Sequence, residues 1–246
     1  RVGRMLVAVD FDGTLTPIVD HPAGAMLPPR AREVLERLGA RPDTDVAVVS
    51  GRALEDVRER IALDGIYYAG NHGMEIEGPG IQEIHGAAAA TRPAIARCAE
   101  EIRDALHGVP GVVLEDKGLT ISVHYRQVRG DDVHRVHDAV RRTCGGDPAV
   151  RVTEGKKVLE VRPAVDWDKG RATRFLLDVL ETGASSSVPT VYLGDDVTDE
   201  DAFRALRGRG AGVIVADPVP ETTAATAWLR SPEEVVDLLA SLAAAG

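Results

Sequence analysis

Asp10 and Asp12 stand two residues apart directly behind the apolar run Leu6–Val9, and Gly13-Thr14 follows them. Carboxylates at the end of a buried strand can act as a nucleophile and a general acid/base, or can take a divalent cation through oxygen ligands. On an ideal strand the two side chains share a face, but the turn at Gly13 leaves their final relation open. The structural alternative is a strand closed by an ordinary Asp-Gly turn. A second acidic group, Asp195, Asp196, Asp199, Glu200 and Asp201, follows Val191–Leu193 and Gly194. It reads as a solvated loop or, because like charges repel behind a buried strand, as a cation site. Oxygen-only ligands favour Mg²⁺ over Zn²⁺.

Three smaller features fall at comparable places. Ser50 ends the run Asp45–Val49 and opens Ser-Gly-Arg, so its hydroxyl and nearby backbone N–H groups can meet a phosphate oxygen; a helix N-cap is the plain alternative. Lys169 opens a helix, where the dipole favours anions, so an orienting role for its ammonium competes with that of a solvated surface lysine. In Gly70-Asn71-His72-Gly73 the flanking glycines let polar groups approach a ligand.

These residues need strands that end together. Leu6–Asp10, Asp45–Ser50 and Tyr67–Ala69 alternate with helical stretches over Ala31–Leu38 and Leu54 to about Leu63, with a Pro- and Gly-rich loop over 16–29. That rhythm predicts a parallel sheet with helices on both faces. The middle of the chain differs: helices over Ala87–Leu106 and Val133–Val140, and four short, antiparallel strands at Val112–Leu114, Leu119–Tyr125, Val150–Val152 and Val158–Val161. From Lys169 the first rhythm returns, with a helix to Leu180, strand Thr190–Leu193, a helix near Asp201–Leu206, strand Gly212–Val215 and a helix over Pro232–Leu242. The expected organisation is a discontinuous α/β core, 1–82 with 166–246, carrying an inserted α+β domain over 83–165. Ser185–Ser187 reads as a loop.

The 246 residues suffice for a sizeable core, and mean hydropathy of −0.09 is that of a soluble globular chain. No apolar run reaches the roughly 18 residues of a membrane span, and no signal-peptide segment opens the chain. Arg1 rather than Met at the start raises the expectation of further sequence upstream. A net charge of −10 argues against nucleic acid as partner. Two cysteines, Cys98 and Cys144, make no disulfide framework and fit a reducing cytoplasm, although one bridge stays open.

Together these residues resemble the haloacid dehalogenase (HAD) superfamily of aspartyl-phosphate phosphatases. Asp10-Phe-Asp12-Gly-Thr14 looks like its first motif, Ser50 its second, Lys169 its third and Gly194-Asp195-Asp196 its fourth. Within it the chain is similar to the trehalose-6-phosphate phosphatase family. The similarity rests on Asp10-Phe-Asp12-Gly-Thr14-Leu-Thr16-Pro17, Ser50-Gly-Arg52, Gly70-Asn-His-Gly73, Gly155-Lys-Lys-Val-Leu-Glu160-Val-Arg-Pro163 and Gly194-Asp-Asp-Val-Thr-Asp-Glu-Asp-Ala-Phe203. Glu115, Lys117, His124-Tyr125-Arg126, Lys156 and Glu160 match the family's sugar-contacting pattern; alone, Glu115, Lys117, Lys156 and Glu160 also read as cross-strand ion pairs on a solvated sheet face.

The resemblance implies a HAD-like Rossmannoid core with an inserted cap that closes on it, hinging near Glu83–Gly86 and Pro163–Asp166. It implies hydrolysis of trehalose 6-phosphate, with Asp10 as nucleophile, Asp12 as general acid/base, and Ser50 and Lys169 on the phosphoryl oxygens. Mg²⁺ is expected on the Asp10 carboxylate, the Asp12 carbonyl and Asp195, with Asp196 and Asp199 orienting metal waters and Lys169. Substrate contacts are expected from Thr14, Gly51, Arg52, Asn71, His72, Glu115, Lys117, Arg126, Lys156 and Glu160. The synthase that makes trehalose 6-phosphate is the implied protein partner. The alternatives are a phosphatase for sucrose 6-phosphate or another sugar phosphate, a phosphomutase, and a catalytically silent regulatory module.

Overall fold

The computed structural model describes residues 4–19, 21–182 and 187–245. The chain divides into two compact units, Arg1–Glu83 with Trp167–Gly246, and Ile84–Asp166. In the first, the strands are β1 (Met5–Val9), β2 (Thr44–Val49), β3 (Tyr67–Gly70), β4 (Glu75–Gly78) and β5 (Ile81–Ile84), then β10 (Thr190–Gly194), β11 (Gly210–Val215) and β12 (Ala227–Leu229). They form one eight-stranded sheet in the order β12-β11-β10-β1-β2-β3-β4-β5. β12 through β3 pair in parallel, and β4 runs antiparallel to β3.

Parallel strands need both faces covered, and alternation along each strand supplies both. Val7, Val9, Val46, Val48 and Leu193 face α1 (Pro29–Gly39), α2 (Leu54–Ile61) and α8 (Pro232–Ala244) through Leu35, Leu38, Val57, Ile61 and Leu239. Leu6, Ala8, Ala47, Val49 and Tyr192 face α6 (Lys169–Glu181) and α7 (Glu200–Ala205) through Leu176, Leu177 and Phe203. Truncating one such core leucine to alanine costs about 2–5 kcal/mol.

The second unit holds α3 (Gly86–Ala89), α4 (Arg92–Ala105), β6 (Val113–Asp116), β7 (Ile121–His124), α5 (Gly130–Cys144), β8 (Val150–Gly155) and β9 (Val158–Pro163). Its antiparallel sheet runs β6-β7-β9-β8. The apolar side, with Val123, Leu159 and Val161, packs with Ile95, Ile102, Val136 and Val140. Cys98 and Cys144 are buried free thiols.

The sequence departs from this at a few places. The helix expected over Ala87–Leu106 is two, parted at Ala90-Thr91, with Pro93 in the first turn of the second. β4, β5 and β12 are absent from the sequence expectation. They are three or four residues long, and β4 and β5 carry charge, so none has the apolar run of a buried strand. Most of the expected Ser185–Ser187 loop lies outside the described residues. No helix among the described residues is long and apolar enough to cross a membrane.

Candidate active site

β1 and β10 are parallel neighbours in register, Val9 beside Leu193, and the Asp10 N–H donates to the Leu193 carbonyl at 2.9 Å. Asp10 and Gly194-Asp195 therefore leave the sheet side by side. Lys169 reaches them from the first residue of α6, where Asp168 caps the helix by accepting from the Arg171 N–H. Its Nζ donates to Asp10 Oδ1 at 2.7 Å and to Asp199 Oδ1 at 2.8 Å. Lys169 is 3% exposed, so it is not a solvated surface lysine. Burial opposes its charge, but Asp10 and Asp199 outweigh that and raise its pKa well above the ordinary lysine value. Burial also pushes the Asp10 carboxyl well up, against the pull of Lys169 and helped by Asp199 and Asp195.

Within the acidic run, Asp199 and Glu200 are buried, while Val197 is exposed. Asp199 is fully buried and accepts from Lys169 and the Tyr192 hydroxyl on Oδ1, and from the Asp195 and Asp196 N–H groups on Oδ2. Glu200 accepts from the Thr223 hydroxyl and the Ala224 N–H. Carboxylate oxygens of Asp10, Asp195 and Asp199 lie within 4.8 Å of one another. Lys169 supplies one positive charge among these three carboxylates, which leaves two negative charges, those a divalent cation neutralises. With all four acceptor positions of Asp199 occupied, Asp10 and Asp195 are the carboxylates suited to a hard cation. The donor set fits Mg²⁺.

Asp12 diverges from Asp10. Its side chain is 41% exposed, and Arg52 grips both its oxygens, Nε to Oδ2 and Nη2 to Oδ1, each at 2.7 Å. Arg52 also donates to Asp56 Oδ2 at 2.8 Å and to the Pro22 carbonyl at 2.9 Å, and its guanidinium lies 5.3 Å from the Phe11 ring centroid. Burial opposes this guanidinium's charge, but hydrogen bonds and charge from Asp12 and Asp56 hold its pKa above the ordinary range. Arg52, expected among substrate contacts, is thus committed to two carboxylates. Asp56 carried no sequence signal beyond its i,i+4 spacing.

Ser50 follows β2 and is buried; its Oγ accepts from the Arg52 N–H at 3.1 Å. It is not a helix N-cap, because α2 starts after Ala53 without a side-chain cap. Asn71 and His72 are buried with left-handed φ of 50° and 58°. The Asn71 N–H donates to the Arg52 carbonyl and the His72 N–H to the Ser50 carbonyl, bracketing Gly51. The Trp167 indole N–H donates to the Gly73 carbonyl at 2.8 Å, which ties this turn to the segment before Lys169. The Thr14 hydroxyl is buried with no hydrogen-bond partner among the described residues. Asp196 is half-buried and lies outside the three-carboxylate cluster.

The remaining expected residues lie in the second unit. Glu115, Ser122, Glu160 and Thr153 form one cross-strand row, on the sheet side opposite Val123 and Leu159. Lys117 Nζ lies 3.4 Å from Glu160 Oε1, and His124 Nε2 lies 3.2 Å from Glu115 Oε2. Arg126 donates to the Lys156 carbonyl at 3.3 Å, at the turn between β8 and β9.

The model of the trehalose-phosphatase family matches residues 8–232. The chain belongs to the trehalose-phosphatase family. It is 45% identical over 240 residues to the trehalose-phosphate phosphatase of Mycobacterium tuberculosis H37Rv, covering 96% of this chain. It spans 61% of the length of that curated relative. Among solved structures it is similar to the C-terminal domain of Candida albicans trehalose-6-phosphate phosphatase, with a TM-score of 0.83, 25% identity and coverage of 98% and 92% of the two chains. A haloacid dehalogenase-like hydrolase from Bacteroides thetaiotaomicron shares the fold at a TM-score of 0.66 and 17% identity, over 97% and 99% of the chains. The chain thus has the HAD-like α/β fold, with a second, antiparallel sheet in the inserted unit.

Proposed function

We propose that this chain is a Mg²⁺-dependent phosphatase that hydrolyses trehalose 6-phosphate to trehalose and phosphate through a phosphorylated Asp10. The observation that carries this reading is the buried Asp10 carboxylate held 2.7 Å from Lys169 beside Asp195, in a chain of the trehalose-phosphatase family. Lys169 engages Oδ1, so Oδ2 is the oxygen assigned to attack phosphorus. The new Oδ2–P bond forms as the bond from phosphorus to the sugar oxygen breaks, and Asp12 gives that oxygen a proton. Water then attacks the same phosphorus, Asp12 takes its proton, and phosphate leaves with Asp10 restored. Dividing one displacement into two lowers each barrier, and general acid–base help adds about 10²–10⁴-fold.

Asp12 can carry a proton only after releasing one of its two bonds to Arg52. Ser50 and the adjoining backbone N–H groups, with Lys169, are assigned to the phosphoryl oxygens, where fixed charge counts most in a loose transition state. Mg²⁺ would be held by the Asp10 and Asp195 carboxylates and the Asp12 carbonyl. When bound it neutralises charge between the nucleophile and the phosphoryl group.

The polar sheet face of the inserted unit is assigned to the sugar. Hydroxyls both donate and accept, and the Lys117–Glu160 and His124–Glu115 pairs offer both functions. Two buried free thiols support a reducing, cytoplasmic setting. Borohydride reduction of acid-quenched, turning-over enzyme should convert Asp10 to homoserine. Asp10→Asn should show neither product nor turnover while keeping its circular dichroism. Turnover near wild type in that variant would overturn the nucleophile assignment.

A further inference from the structure

Asp199 joins the metal-facing loop to Lys169, and one of its donors lies outside the residues so far given a role. Tyr192 is fully buried on β10, and its hydroxyl donates to Asp199 Oδ1 at 2.8 Å. Lys169 donates to the same oxygen, while Oδ2 takes the Asp195 and Asp196 N–H groups, both at 3.1 Å. The two oxygens share one soft torsion, so whatever orients Oδ1 also aims Oδ2. Gly194 lies so close to this carboxylate that a Cβ there would meet Asp199 Cγ at 2.2 Å, so the loop bearing Asp195 is seated directly on Asp199.

We propose that Tyr192 is a positioning residue for the cation site: its hydroxyl fixes the rotation of the Asp199 carboxylate. Oδ2 then holds the Asp195-Asp196 backbone and sets Asp195 against Asp10. Sharing Oδ1 also limits the claim of Asp199 on Lys169, leaving the ammonium for Asp10. The ring is held independently, edge-to-face on Phe203 at 5.9 Å, and Phe203 packs against Gly212. Removing only the oxygen therefore leaves the packing intact. Burial, then the charge of Asp199, push the Tyr192 phenol well above its ordinary range, so it stays a donor.

This inference rests on the metal reading of the preceding section, and the test separates the two. Mg²⁺ binding is measured by calorimetry, and Mn²⁺ binding by electron paramagnetic resonance, on the wild-type chain, Asp195→Asn, Tyr192→Phe and Phe203→Leu. The wild type should bind the metal and Asp195→Asn should not. Tyr192→Phe should bind about tenfold more weakly, the low end of the loss on removing a partner bonded directly to a metal ligand, since Tyr192 acts through Asp199. Its Tm should stay close to wild type, and Phe203→Leu should keep wild-type affinity. No binding by the wild type would overturn the metal reading, and this inference with it. Wild-type affinity in Tyr192→Phe, beside a wild type that binds, would overturn the inference alone. An equal loss in Phe203→Leu would overturn it too, because packing would then explain the effect.

Discussion

The Lys169 ammonium is one positive charge among the carboxylates of Asp10, Asp195 and Asp199, and that imbalance has consequences for stability. Asp10 has a raised pKa in the folded chain, from burial above all. A carboxyl with a raised folded pKa favours folding below its ordinary pKa and loses that contribution as pH rises, so ionised Asp10 costs stability at neutral pH. Metal-free Asp10→Asn should therefore melt at or above the wild-type Tm at pH 7, with the gap closing as pH falls towards 4. A clearly lower Tm in calorimetry at pH 7 would contradict this. Arg52 makes a second prediction. Its fork fits both oxygens of Asp12, which lysine cannot reproduce. Arg52→Lys should slow hydrolysis of a sugar phosphate more than that of p-nitrophenyl phosphate, whose leaving group needs little protonation. An unchanged ratio of the two kcat values would separate Arg52 from Asp12 function.

At the scale of elements, the site is a meeting of strand ends. Apolar, β-branched runs with abrupt polar ends mark β1, β2 and β10, so the positions of Asp10, Ser50 and Asp195 along the sheet were legible in the sequence. Side-chain partners were not. Whether Asp12 meets Asp10 or Arg52 depends on the turn at Gly13 (φ 83°), and no local pattern encodes it. Tyr192 sits in an aliphatic run, where its only signal is that a buried hydroxyl needs a partner. β4 and β5 were hidden for the opposite reason, since four-residue strands that carry charge lack a long apolar run. The contact between the Ser50–Arg52 segment and the Asn71-His72 turn is as tight as a glycine allows. A Cβ on Gly51 would lie 2.8 Å from His72 Cε1. Gly51→Ala should lose about 1–3 kcal/mol of stability in urea unfolding, as overpacking does. Adding His72→Ala should recover most of that loss. A Gly51→Ala chain as stable as wild type would contradict this packing.

For the whole molecule, the presence of a mostly parallel sheet and a second, antiparallel one was legible in the sequence, because the rhythm of the pattern changes between them. Of Glu115, Lys117 and Glu160, only Glu160 fell within an expected strand; Glu115 lay just past one, and β6 extends to include it. Their common polar sheet side follows from strand register, which one sequence leaves open. An overall charge of −10 gives acidic surroundings, in which the proposed sugar-phosphate substrate would need local cations such as Lys169. Under the proposed function, phosphoryl transfer is assigned to one unit and sugar recognition to the other. The most direct test measures phosphate release with Mg²⁺ from trehalose 6-phosphate, sucrose 6-phosphate, glucose 6-phosphate and an aryl phosphate, on the wild type and Glu160→Ala. The expected result is strong selectivity for trehalose 6-phosphate in the wild type. In Glu160→Ala, KM should rise for that substrate and stay unchanged for the aryl phosphate. Equal turnover of all four substrates, or release from none, would contradict the account.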